Sequence, residues 1–338
     1  MLESLSSFFS QGCHVFRGVF ILGLGLALGA PGARAVLFEN SGDAGFNTSA
    51  PTGLFENAGW PYLGYYGAFL GTAISPQHFI TSQHFGLQGG VFSQDALFTG
   101  GATVNQTIDS TVNGGLGYWD IAGSDLRIFK IEGTFASYAE LYLGSGLGET
   151  AVLTGRGGVR GDAVVGMGVQ GWQHTTPDGV ARWGTNEISG AVGSGAGTLW
   201  VARFDGTGGT PFEAGLSSGD SGGGLFINQG GGWKLAGVNY SIDGLFDTNN
   251  TVGDNSEFSA SMTNMRGFYQ GSDSGGWSLI PTGGNALPSG MYFSSVTANV
   301  AAIQTIIAVP EPSGALLVAV ALMGGGFFRR RQKSSCHR

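Results

Sequence analysis

The sequence is almost without cysteine and poor in charge. Cys13 and Cys336 are the only two, both near the ends. The body between them cannot be stapled by disulfides or hold zinc through thiolates. Charged residues make up 11%, too few to coat the outer faces of a helical bundle. Basic residues are the scarcer sign. Residues 36–308 hold eight Lys and Arg against 21 Asp and Glu, a net charge of −13. That balance argues against a nucleic-acid partner and favours a soluble body that repels anionic surfaces. Histidine is scarce as well, with only His78, His84 and His174 in that span. No repeat of fixed period is present.

What is abundant is glycine, 64 of 338 residues, with 42% hydrophobic and 12% aromatic residues. No G-X-Y period accompanies the glycine, which excludes a collagen-like chain. The apolar share suffices for a sizeable core. Short Val-, Thr-, Phe- and Tyr-rich runs between Gly-rich turns read as strands. Tyr65–Ile74 reads as a hairpin region, and Phe79–Ser82, Leu126–Ile131, Thr198–Phe204 and Trp233–Tyr240 read as strands. Only Ala260–Tyr269 has a weakly helical pattern. The fold class expected is all-β, with residues 60–270 as the main domain. Residues 36–59 are expected as a lead-in segment. Residues 271–308 are expected as a Gly/Ser-rich spacer or extra strands.

The ends carry processing patterns. Arg17, the apolar run Val19–Ala30 and the small-x-small site Ala33-Arg34-Ala35 form a secretory signal peptide over residues 1–35. At residues 309–338, Val309-Pro310-Glu311-Pro312 precedes the apolar stretch Gly314–Phe328 and then Arg329, Arg330, Arg331 and Lys333. That stretch is shorter than the ~20 residues that span a bilayer comfortably, and its basic cluster should stay cytoplasmic.

Three short segments carry chemistry. Gly219-Asp220-Ser221-Gly222-Gly223 places a serine in a tight, glycine-flanked turn. There its Oγ can be exposed, and the N–H groups of Gly219 and Ser221 can face one developing oxyanion. A serine nucleophile needs a base. His84 follows the strand Phe79–Ser82 and should face a cleft from the strand end, whereas His78 reads as a surface residue and His174 as a turn residue. The base needs a carboxylate to fix its tautomer. Asp125 heads the strand Leu126–Ile131 and is preferred over Asp109 and Asp120. The segment Asp243–Asp254 has the Asn, Asp and Gly of turns and also oxygen ligands suited to calcium. The turn reading is preferred, and neither a metal site nor a cofactor is assigned.

These segments resemble the chymotrypsin/trypsin family of serine endopeptidases over about Trp60–Tyr269. Ile80-Thr81-Ser82-Gln83-His84 is similar to the family's strand ending in Ala-Ala-His. Asp125-Leu126-Arg127-Ile128-Phe129 is similar to its Asp-hydrophobic strand, and Gly219–Gly223 to its serine motif. The order and the gaps of 41 and 96 residues match as well. Arg182–Asn186 and Trp233–Val238 resemble bacterial members. The resemblance implies two packed six-stranded antiparallel barrels with His84, Asp125 and Ser221 at their junction, and protein or peptide substrates. It implies a pocket with Gly215, where an acid would select Lys or Arg, at its base, and with Ser218, Ser241 and Ile242 around it. Phe85 stands where the family has cysteine, and Gly224 where it has proline. The family pairs a free amino terminus with the acid before the nucleophile, here Asp220. Signal cleavage would expose Val36, but the following Leu37-Phe38-Glu39 lacks the family's glycine pair. The tail resembles a PEP-CTERM sorting signal of Gram-negative bacteria. That implies an exosortase-type partner, a transient membrane-anchored precursor and a mature form at the cell surface or in extracellular matrix. The alternative on the same fold is a catalytically silent surface or matrix binding protein.

Overall fold

A computed structural model describes residues 36–43 and 45–308. The signal peptide and the sorting tail read from the sequence lie outside the described residues. Among these residues no helix is long and apolar enough to cross a membrane.

The chain folds as an all-β protein around a closed barrel and a curled sheet. The curled sheet is made of β1 (Leu63–Tyr66), β2 (Phe69–Ser75), β3 (His78–Ser82), β4 (Val91–Gln94), β5 (Val104–Thr107), β6 (Tyr118–Asp120) and β7 (Leu126–Lys130). Their order is β5-β4-β1-β2-β3-β7-β6. The expected hairpin is β1–β2, turned at Gly67-Ala68 with Tyr66 opposite Phe69. Gly67 has φ 58°, a value that suits glycine in a two-residue hairpin turn. The sheet curls until the chain just past β5 meets the chain just past β7, where Ile108 bridges Ile131. Six strands per barrel were expected. Here the sixth position is shared by β5 and β6, split by the excursion between them.

The closed barrel comprises β8 (Thr150–Gly155), β9 (Arg182–Ser194), β10 (Gly197–Arg203), β11 (Gly224–Gln229), β12 (Gly232–Ile242) and β13 (Gly290–Ser295). Its order is β9-β10-β13-β12-β11-β8, with β8 closing onto β9. Strand alternation decides what each face meets. Phe79 and Phe129 point into the curled sheet. Leu153, Leu225 and Ile227 fill the closed barrel. The residues between them, Ile80, Ile128, Val152 and Phe226, share a single cluster at the junction of the two. Burial on both faces explains why neighbours such as Phe79-Ile80, Ile128-Phe129, Val152-Leu153 and Leu225-Phe226-Ile227 are all apolar rather than alternating with polar residues.

Three segments depart from the sequence reading. The lead-in is not peripheral: Val36 and Leu37 are fully buried, and Leu37–Phe38 pairs with Ala214–Gly215. Residues 271–308 depart from the spacer reading and take the other one, extra strands. Their Met291 and Phe293 enter the barrel core, β13 completes the barrel, and a helix follows over Val296–Ile307, capped by the Ser295 hydroxyl. Gly, Ser and Asn dominate only up to about Ser289, and they mask the strand beyond. Ala260–Met262, expected as weakly helical, is a strand paired with Gly171–Gln173. Its apolar residues join Val164, Phe246 and Phe268 in a separate small cluster. Tertiary pairing overrides the weak local preference.

Candidate active site

His84 sits just past β3, where the chain leaves the sheet. Its turn is fastened to β7: the Gln83 N–H donates to the Asp125 carbonyl at 2.7 Å, and the His84 N–H donates to Asp125 Oδ1 at 2.9 Å. Asp125 is 6% exposed. Its Oδ2 lies 2.7 Å from His84 Nδ1, while His84 Nε2 lies 2.8 Å from Ser221 Oγ. A carboxylate on Nδ1 fixes the tautomer that leaves Nε2 free to accept the serine proton. The three side chains therefore form one unbroken chain of contacts, with His84 reaching from the curled sheet to the closed-barrel side.

The rival acids are spent elsewhere. Asp120 holds Arg127 through both oxygens, at 2.6 and 3.0 Å. Asp109 pairs with Lys130 at 3.2 Å. The other histidines are also engaged elsewhere. His78 is buried rather than at the surface, because it opens β3 and meets Ser75 Oγ at 2.8 Å. His174 ends a strand rather than forming a turn, and its Nε2 meets Ser261 Oγ at 3.0 Å. Burial pushes its imidazole down to about 4.

The serine turn is shaped by two glycines. Gly219 has φ 94° and Gly222 has φ 79°, both in the region that side chains resist. Asp220 N–H donates to the Ser217 carbonyl at 3.1 Å, closing the turn. Among the described residues, neither the Gly219 nor the Ser221 N–H has a hydrogen-bond acceptor.

Asp220, beside Ser221, is fully engaged. It accepts from the Gly157 N–H at 2.6 Å, the Ser217 N–H at 2.7 Å and the Ser217 hydroxyl at 3.0 Å. Desolvation pushes its carboxyl up to about 6, against the pull of those donors. The turn is thus held by backbone of the segment after β8.

Two further residues complete the site, and sequence reasoning missed both. Asn239 on β12 donates through its amide to the carbonyls of Thr154 and Asp220, at 2.7 and 2.8 Å. Tyr240 lays its ring edge-on to His84, with centroids 5.7 Å apart. Both lie at the end of the strand Trp233–Tyr240 read from the sequence, but nothing in that run marks them. Phe85 stacks on Phe69 at 4.0 Å, packing the site's edge by aromatic contact.

A cavity of about 200 Å³ adjoins Ser221, lined by Leu216–Asp220 and by Asn239–Ile242. Ser218, Ser241 and Ile242 are among its walls. Gly215 is not. It sits deeper, paired with Leu37, where a side chain would strike Ser261 and Phe204. Buried Leu216 takes the lining place beside it. The only carboxylate on the lining is Asp220, already spent on its donors.

No protein-family model matches this chain, and no curated protein matches it.

Proposed function

We propose that the protein is an exported serine endopeptidase that hydrolyses peptide bonds through an acyl-enzyme. The observation that carries this reading is the Asp125–His84–Ser221 chain, with contacts of 2.7 and 2.8 Å. Ser221 Oγ attacks the peptide carbonyl carbon while its proton passes to His84 Nε2. The carbonyl electrons move to oxygen, where the free N–H groups of Gly219 and Ser221 receive the charge. Losing one such donor typically costs about 3–4 kcal/mol in the transition state. Collapse expels the amine, which takes the proton from His84. Water, deprotonated by His84, then releases the acid and restores Ser221. Asp125 keeps the imidazole oriented and stabilises its charged form.

The adjoining cavity supports substrates with an uncharged residue before the scissile bond. Leu216 and Ile242 give it apolar walls, Ser218 and Ser241 give it hydroxyls, and no uncommitted carboxylate awaits a Lys or Arg. Residues 1–35 and 309–338 are read with this activity as export and sorting signals, the latter a substrate for an exosortase-type enzyme. Digestion of an unfolded protein, set beside hydrolysis of a simple ester, tests the peptidase reading. Cleavage after uncharged residues, lost in Ser221→Ala, is expected. Ester hydrolysis without any protein cleavage would instead make this an esterase.

A further inference from the structure

The segment that leaves the cavity wall at Ile242 returns at Ser261, whose hydroxyl donates to the Leu216 carbonyl on the same wall at 3.3 Å. In between, Phe246 and Phe258 exchange backbone hydrogen bonds of 2.8 and 2.9 Å and pinch off a loop over residues 247–257. Asp247, Asp254 and Glu257 each bring one carboxylate oxygen to a common point, all within 4.8 Å of one another. Turn formation accounts for part of this loop: Asn249 Oδ1 accepts from the Thr251 N–H, and Asp254 Oδ1 from the Ser256 N–H. It accounts for only one oxygen of Asp247, whose Oδ1 accepts from the Asn249 N–H at 3.1 Å. Asp247 is fully buried, and its Oδ2 has no hydrogen-bond partner. A buried carboxylate oxygen without a donor is costly unless a cation meets it.

The surroundings offer no such cation from the chain. Residues 243–279 contain five acids and one base, Arg266. Its guanidinium donates to the carbonyls of Asn285 and Pro281. No ion pair is formed by Asp247, Asp254 or Glu257 among the described residues. Asp243, at the start of the segment, is committed elsewhere, accepting from the Gly290 N–H and the Tyr292 hydroxyl at 2.6 and 2.8 Å.

We infer that Asp247, Asp254 and Glu257 form a calcium site that fastens the loop behind the substrate cavity. The donor set is all oxygen, which selects hard cations over zinc or copper. The oxygens, all within 4.8 Å of one another, suit calcium's flexible shell of about six to eight oxygens better than magnesium, which demands near-ideal octahedral geometry and keeps most of its waters. Ser256, whose hydroxyl lies 2.6 Å from both Asp247 Oδ1 and Asp254 Oδ1, holds the two acids together before the ion arrives. Water completes the coordination shell on the side of exposed Asp254.

The test is titration of calcium into the full chain stripped with a chelator, read by calorimetry and by thermal unfolding. One ion per chain is expected, with a dissociation constant on the order of 10⁻⁴–10⁻³ M, as in extracellular calcium modules, and a rise in Tm at saturation. Magnesium should bind at least about tenfold more weakly. Asp254→Asn, an exposed change that leaves the fold intact, should weaken calcium by about tenfold or more. Buried Asp247→Asn should do the same, whereas Glu187→Gln on β9 should leave the affinity unchanged. Absence of saturable binding up to about 10 mM calcium, beyond the weakest extracellular sites, would overturn the inference. So would wild-type affinity in Asp254→Asn. Both readouts are independent of hydrolysis.

Discussion

The Ser82 hydroxyl donates to the Asn239 carbonyl at 2.7 Å, tying the strand that leads to His84 to the strand beside Ser221. The same carbonyl accepts from the Gly222 N–H at 3.2 Å, and the Asn239 N–H donates to the Gly223 carbonyl at 2.9 Å. Asn239 therefore couples β3, β12 and the serine turn, and its side chain adds the bonds to Thr154 and Asp220. Asn239→Ala would remove a donor from the buried carbonyls of Thr154 and Asp220, the latter keeping the Gly223 N–H at 3.2 Å. It should cost about 1–3 kcal/mol of stability, the usual cost of a lost partner of a buried group. Chemical denaturation checks this, and kcat should fall with the loosened turn.

Gly222 tolerates no side chain. Its φ is 79°, and a Cβ there would lie 2.3 Å from Thr81 Oγ1 and 2.4 Å from the Leu70 carbonyl. The second contact is backbone and cannot move aside. Gly222→Ala should destabilise the protein by at least about 1–3 kcal/mol, the usual cost of a strained backbone position. It should also displace Ser221 enough to remove activity even where folding survives, which circular dichroism beside a turnover assay would show.

Asp125→Asn should preserve the fold, because the amide oxygen can still accept one bond from the His84 segment. It should nonetheless lower kcat by about 10⁴-fold, as the amide holds the wrong imidazole tautomer. The measurement is steady-state hydrolysis by the purified variant, with an unchanged melting temperature as the control.

Two buried acids set the pH dependence of stability. Desolvation pushes Glu213 up to about 7, although it accepts from Thr210 and Asp205, and Asp220 up to about 6. The folded chain then keeps protons that the unfolded chain has already released. The contribution of these two acids is fullest below about pH 4, the unfolded value for both, and falls as pH rises to 7, while buried His174, pushed down to about 4, offsets part of that fall over the same range. For Glu213 alone the loss is on the order of 3 kcal/mol. Denaturation between pH 4 and 7 should show this decline, and Glu213→Gln should flatten it, whatever its effect on absolute stability.

Much of this arrangement was legible in the residues. Strands such as Leu126–Lys130 and Gly232–Ile242 announce themselves by β-branched and aromatic runs. The serine turn shows because few sequences place Asp-Ser between glycines. Asp125 could be preferred because it heads an apolar strand, and its rivals turn out to be neutralised by Arg127 and Lys130. What stayed hidden depends on distant partners. Leu37–Phe38 becomes a strand only because Ala214–Gly215 lies open beside it. Met291 and Phe293 are obscured by the Gly- and Ser-rich stretch before them. Asn239 and Tyr240 look like ordinary strand residues until the fold brings Ser82 and His84 against them. The pocket place of Gly215 comes only from the resemblance, which does not reveal that the chain turns inward there to pair with Leu37.

Mass spectrometry after treatment with a fluorophosphonate probe, on the wild type beside Ser221→Ala and His84→Ala, reads the nucleophile itself. A single adduct on Ser221 in the wild type, with none in either variant, is expected. An adduct that persists in Ser221→Ala, or a folded wild type that takes no label, would contradict the assignment of Ser221 as the nucleophile of a working hydrolase.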